Sequence, residues 1–223
     1  MRHLSFFIAL LVLMSVTAGA DETKQVIFRY KENDNMEIAL TFDDGPHPYY
    51  TNEILGILDE YGIKATFFFV GQNVEYYPEV AEKVLEGGHE IGNHTYTHHR
   101  VRSIEHETLI DEIGKCEDAI FTLGEYHPCL FRPPEGAFDS DVEKTALELD
   151  YSVILWSIDT RDWDHTPPDN ILKNVLGNIK SGDIILMHDY IGHASPTPDA
   201  LRMVIPALIE RGYKFVTVSE LID

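Results

Sequence analysis

EIALTFDDGPHPYYTNEILGILDEYGIKATFFFV, residues 37–70, decides the fold. Glu37 to Phe42 and Ala65 to Val70 are short runs that are apolar on both faces, as buried parallel strands are. Between them Ile54, Leu55 and Leu58 form an apolar stripe at helical spacing over Thr51 to Tyr61, and Gly62 stops it. The same alternation runs outward to the end of the chain. Further strands are expected at Glu90 to Gly92, Leu130 to Arg132, Ser152 to Ser157, Ile184 to Met187 and Lys214 to Thr217. Helices are expected at Pro78 to Glu86, Ser103 to Thr122, Ser140 to Leu149, Asp169 to Asn178 and Asp199 to Glu210. Seven strands alternating with six helices make an α/β protein, either a barrel or a doubly wound sheet. Both place ligands beyond the C-terminal ends of the strands.

No Ser/Gly linker, charge block or repeat interrupts residues 36–223, so one domain is expected there, with residues 21–35 as an N-terminal extension. Residues 1–20 read as a cleavable secretory signal: Arg2, then an uncharged apolar run from Phe6 to Val16, then Ala18-Gly19-Ala20. That run is shorter than the roughly 18–20 residues a membrane span needs, so the mature protein is expected to be secreted or extracytoplasmic, without a stable span. The chain of 223 residues is 44% hydrophobic and 25% charged, with 11 Pro and 15 Gly, which excludes disorder and collagen. Its formal charge of -21 repels a phosphate backbone and argues against a nucleic-acid partner. In an exported chain Cys116 and Cys129 could pair, or could be two buried thiols; their spacing is not that of a zinc motif.

Five polar clusters fall just after expected strands. Thr41-Phe42-Asp43-Asp44-Gly45-Pro46 is either a helix-capping turn or a pair of diverging carboxylates, one for a metal and one to activate water. Asn93-His94-Thr95-Tyr96-Thr97-His98-His99 places two histidines four apart, which on a helical turn would share one side and suit zinc or a similar divalent ion. Phe131-Arg132-Pro133-Pro134-Glu135-Gly136 is a rigid turn able to present backbone N–H groups. Asp159-Thr160-Arg161-Asp162-Trp163 and Leu186-Met187-His188-Asp189 complete the set.

In this order the five segments resemble the polysaccharide deacetylase family, carbohydrate esterase family four, also called the NodB homology domain. The resemblance spans about Met36 to Leu221 and rests on Thr-Phe-Asp-Asp-Gly, His-Thr-x-x-His, Arg-Pro-Pro, Asp-x-x-Asp-Trp and Leu-x-His occurring together. It implies a distorted (β/α) barrel of about seven parallel strands and a hydrolase that removes acetyl groups from sugars. It further implies that Asp44, His94 and His98 bind one divalent ion, usually zinc. By the same resemblance Asp43 is the general base held by Arg132, and His188 is the general acid with Asp162 setting its protonation. Trp163 and Leu186 wall the acetyl pocket, and the turn at Pro134 and Glu135 faces the substrate. His99, His106, His127, His165 and His193 have no motif role.

One position departs from the family pattern. The residue after Pro134 is usually aromatic and here is Glu135, which keeps the backbone donor but removes a surface for a sugar ring. Some relatives that act on muramic-acid residues also carry a non-aromatic residue there. The expectation is therefore a deacetylase of N-acetylated cell-wall glycan, peptidoglycan ahead of chitin. An O-acetyl esterase on acetylxylan and a carbohydrate-binding protein without turnover are the competing readings.

Overall fold

The computed structural model describes residues 26–27 and 35–223; the expected export signal lies outside the described residues. In chain order the elements are β1 (Val26–Ile27), β2 (Glu37–Asp43), α1 (Tyr50–Tyr61), β3 (Thr66–Phe69), α2 (Gly71–Tyr76), α3 (Pro78–Glu86), β4 (Glu90–Asn93) and α4 (His106–Phe121). They continue with β5 (Leu130–Phe131), α5 (Ser140–Glu148), β6 (Ser152–Ile154), β7 (Ile158–Asp159), α6 (Pro168–Asn178), β8 (Ile184–His188), α7 (Thr197–Glu210), β9 (Lys214–Phe215) and α8 (Val218–Ile222). All pairings are parallel, in the order β1-β6-β5-β4-β3-β2-β8-β7. The sheet curls into a half-barrel, as the family resemblance implies, and the doubly wound alternative is set aside. Strand β9 joins Glu37 and Ile38 of β2, ahead of the Thr41–Asp43 stretch that β3 uses.

Alternation along the strands sorts most of their residues between two cores, while Phe131 of β5 and Val153 of β6 join a third with Leu109 and Ile113 of α4. Ile38, Leu40 and Phe42 of β2, Phe67 and Phe69 of β3, and Ile185 and Met187 of β8 pack under the helices with Ile54, Leu58 and Leu201. Ala39, Phe68, Leu130, Ile154 and Ile184 point to the inner face, where Val218 and Leu221 of α8 close the bottom. Each fully buried Phe contributes about 1.5–3 kcal/mol. Because side chains alternate, the same inner face carries Thr41 and Asp43 higher on β2 and Leu186 and His188 higher on β8. Asp43 and His188 are register partners. The polar top of the barrel is thus the continuation of its apolar inside.

Several elements differ from the sequence expectation, each for a local reason. Ser152 to Ser157 is not one strand: pairing ends at Ile154, and Ile158–Asp159 is a separate strand against β8. Val26–Ile27, within the stretch read as an extension, pairs with Val153 and Ile154 as an edge strand. Helix α4 starts at His106 rather than Ser103, because Ser103 sits at φ 61 in a turn that the helix cannot include. Gly62 ends α1 at φ 63, a left-handed conformation that glycine adopts without strain. No disulfide joins the cysteines: Cys116 is buried and donates to the Phe69 carbonyl at 3.3 Å, while Cys129 is exposed, so the alternative of two buried thiols also fails. Among the described residues no helix is long and apolar enough to cross a membrane.

Candidate active site

The C-terminal ends of the strands surround a pocket of about 440 Å³ lined by Asp43, Asp44, His94, His98, Glu135, Trp156, Asp159, Trp163, Leu186 and His188. Eight of these were singled out from sequence; Trp156 and Asp159 were not named as site residues. Arg132 and Asp162 lie behind the lining, fully buried, and Pro134 is buried in the 3-10 turn Pro134–Gly136 beside it. Glu135 takes φ 59 within that turn.

Asp44 leaves β2 with φ 79, and this reversal separates its carboxylate from that of Asp43. Its Oδ1 lies 3.4 Å from His94 Nε2 and 3.1 Å from His98 Nε2. The expectation of a helical turn between the two histidines is not met: they span an irregular loop in which Thr95 and His98 both have positive φ. Their imidazoles still converge. His94 Nδ1 lies 2.7 Å from the Arg132 carbonyl, which can only accept, so Nδ1 donates there and Nε2 is left facing Asp44. Asp44 Oδ1 is buried without a hydrogen-bond donor, and one donor atom from each of Asp44, His94 and His98 lies within 4.8 Å of the others. A carboxylate oxygen and two imidazole nitrogens converging on one gap are a donor set that suits a divalent cation, so the residues present fit a metal ion. Burial alone raises the Asp44 carboxyl, yet the His94 and His98 imidazoles beside it hold it well below the ordinary carboxylate range. The Asp44 carboxylate beside it in turn raises His98.

Asp43 is turned away from this gap. Its Oδ1 accepts from Arg132 Nη1 at 2.7 Å, and Oδ2 is 3.9 Å from His94 Nε2. The guanidinium also donates to Thr41 Oγ1 at 2.7 Å and to the carbonyls of Ile154 and Leu155, with Phe68 4.0 Å beneath it. Burial pulls the Arg132 pKa down and Asp43 opposes that, so the two charges sustain each other inside the barrel. On the opposite wall, His188 Nδ1 pairs with Asp162 Oδ1 at 2.8 Å. Asp162 also accepts the N–H groups of His188 and Trp163 and the Thr197 hydroxyl. Burial lowers the His188 pKa, but Asp162 more than offsets it, and the imidazole is raised from 6.5 to about 9.

Sequence reasoning missed the supports. Thr197, at the start of α7, gives Asp162 a 2.7 Å hydrogen bond across 35 residues of sequence. Asp189, next to His188, is completely buried; its Oδ2 accepts the Thr51 hydroxyl at 2.5 Å, and its N–H donates to the Asp43 carbonyl. A Cβ at Gly45 would come 2.0 Å from Asp189 Oδ2, so only glycine lets the Asp43-Asp44 turn pass. The position of Asp189 directly after a strand-end histidine was visible; its contact with Gly45 was not.

A polysaccharide deacetylase family model matches residues 30–154. A peptidoglycan-N-acetylglucosamine deacetylase of Bacillus cereus is 44% identical over 194 residues, covering 85% of this chain and 90% of that protein. The peptidoglycan-N-acetylmuramic acid deacetylase PdaC of Bacillus subtilis is 37% identical over 184 residues, which is 82% of this chain and 38% of that longer protein. The crystal structure of the Bc1960 peptidoglycan N-acetylglucosamine deacetylase superposes with a TM-score of 0.85 at 37% identity, covering 89% of this chain and 92% of that one.

Proposed function

The chain belongs to the polysaccharide deacetylase family, and on that premise we propose that it is an exported, divalent-metal-dependent hydrolase that removes N-acetyl groups from cell-wall glycan, peptidoglycan foremost. The observation that carries this reading is the convergence of Asp44, His94 and His98 on one gap, with Asp43 and His188 lining the same pocket. An ion bound by Asp44, His94 and His98, zinc first, supplies Lewis acidity toward water and the acetyl carbonyl. Asp43, held by Arg132, takes the proton that water sheds as its oxygen attacks the acetyl carbon. The backbone N–H of Glu135, in the turn fixed by Pro133 and Pro134, meets the charge that develops on the carbonyl oxygen. His188, protonated at neutral pH because Asp162 holds it there, gives its proton to the amine. The carbon–nitrogen bond then breaks, leaving acetate and a free amino sugar. Leu186 and Trp163 flank the acetyl methyl. Both relatives named for peptidoglycan sugars and the acidic Glu135 in the place of an aromatic residue favour that polymer over chitin.

Mass spectrometry of peptidoglycan, chitin oligomers and acetylxylan after incubation with metal-loaded protein tests this reading. Loss of 42 Da, the mass of one acetyl replaced by hydrogen (about 42 by the stoichiometry of the step), is expected first on peptidoglycan, and a chelator should abolish it. Faster release from acetylxylan or chitin would move the substrate, and release from none would leave a glycan-binding protein.

A further inference from the structure

The loop from His94 to His98 has no regular structure to hold it. Thr95 and His98 lie at φ 67 and 57, conformations that cost a non-glycine residue on the order of 1 kcal/mol each. Three contacts supply the support. Asn93 Oδ1 accepts the Thr95 N–H at 3.0 Å, while its Nδ2 donates to the Ile113 carbonyl on α4. The first N–H groups of α2, from Gly71 and Gln72, donate to the carbonyls of Thr95 and Tyr96 at 3.0 Å. The third contact is a carboxylate: Glu112 of α4 accepts the Thr97 N–H on Oε2 and the Thr97 hydroxyl on Oε1, each at 2.8 Å.

Glu112 is 8% exposed and shares the buried face of α4 with Leu109, Ile113 and Cys116. A carboxylate there is costly unless it is fully hydrogen-bonded, and an apolar residue would fill the same place without that penalty. Both of its oxygens are spent on Thr97, an exposed residue with little packing of its own. Thr97 immediately precedes His98. The His94 ring has its own orienting bond to the Arg132 carbonyl, whereas the His98 side chain is 39% exposed and takes its direction from the backbone before it.

We infer that Glu112 is a positioning residue for the metal: its two-point hold on Thr97 keeps the His98 imidazole facing Asp44 and His94. The inference rests on the reading of those three residues as a metal site. Groups that orient a ligand in this way commonly change affinity by about 10–100-fold when removed.

Zinc affinity, measured by competition with a chromogenic chelator on the full folded chain, tests it. Glu112→Ala should weaken zinc binding by about tenfold or more, while kcat at saturating zinc stays within about threefold. Thr97→Val, a surface substitution that leaves the charge of Glu112 in place, should weaken binding by about threefold or more. The double variant should lose no more than Glu112→Ala alone, because one contact is being removed. Unchanged affinity in Thr97→Val would overturn the inference even if Glu112→Ala weakens binding, since the effect would then come from charge or from lost stability. If the unsubstituted chain binds no zinc, the metal reading itself falls; if it binds zinc and both variants bind it equally well, only the role of Glu112 does.

Discussion

The two ends of the barrel bury carboxylates in opposite ways. At the bottom, Glu90 accepts from the Thr66 hydroxyl at 2.7 Å and from the N–H and hydroxyl of Ser219, all neutral donors, and burial raises its pKa. These bonds tie α8, itself started by a capping box at Thr217 and Glu220, under the sheet. At the top, Asp43 is paired with a guanidinium, Asp44 faces two imidazoles and Asp162 holds a third imidazole at 2.8 Å. Positive φ at non-glycine residues occurs at both ends, at Asp44, Thr95, His98, Glu135, Arg161 and His165 above and at Met36 and Asp150 below, so it is the partners of the carboxylates that differ. Neutral donors make Glu90 a structural tie, whereas a guanidinium and three imidazoles stand beside Asp43, Asp44 and Asp162 around the pocket. Charge pairs gather at the end where ligands are expected to bind, and the other end holds the fold together.

The largest effect expected from breaking this contrast comes from the metal ligands we propose. His94→Ala with His98→Ala should remove zinc, read by elemental analysis of the folded protein, and reduce acetate release to background. Next comes the proposed acid. His188→Ala should lower kcat by about 100-fold or more with zinc retained. Asp162→Asn should shift the alkaline limb of kcat/KM to lower pH, because Asp162 is what raises His188 to about 9. The same shift governs stability: a histidine raised above 6.5 stabilises the fold fully below that value, and the contribution is lost as pH rises through about 9. Denaturant titrations of the metal-free protein between pH 6 and 10 should show that loss, and Asp162→Asn should flatten it.

At the bottom the sign of the experiment reverses. Glu90→Ala should reduce stability by about 1–3 kcal/mol, because Thr66 and Ser219 lose their acceptor, while kcat stays near that of the parent. A large fall in kcat with unchanged stability would erase the distinction between the ends. The smallest effect is expected at Glu135, whose exposed carboxylate lies 3.2 Å from Arg100. Glu135→Tyr should leave zinc content unchanged and shift the kcat/KM ratio a few-fold toward neutral chitin-type oligomers. An identical ratio would place Glu135 outside the substrate path.

The parts of the molecule that were legible in sequence are those that depend on neighbours along the chain. Apolar runs such as Ala65 to Val70 read as buried strands because both faces are covered, and the polar clusters read as strand-end groups because they follow such runs directly. Helix α2 was missed, since six residues starting Gly-Gln-Asn give no helical period. Strand β1 has two residues and exists only through its pairing with β6. The break after Ile154 was hidden because Leu155 and Trp156 remain apolar although the backbone leaves the ladder there. Within the site, residue types and order gave the lining groups. Thr197, Asp189 and Glu112 escaped because each acts on a residue that only the fold brings near.

Asp43 tests the central claim most directly, because it adjoins a proposed metal ligand while its own carboxylate is held by Arg132. In Asp43→Asn, zinc content, melting temperature and acetate release from peptidoglycan should be measured on one preparation. The account predicts one zinc per chain (about one, from the single donor set), a fold that still melts cooperatively, and turnover reduced by about 100-fold or more. Turnover equal to that of the parent at saturating zinc would contradict it.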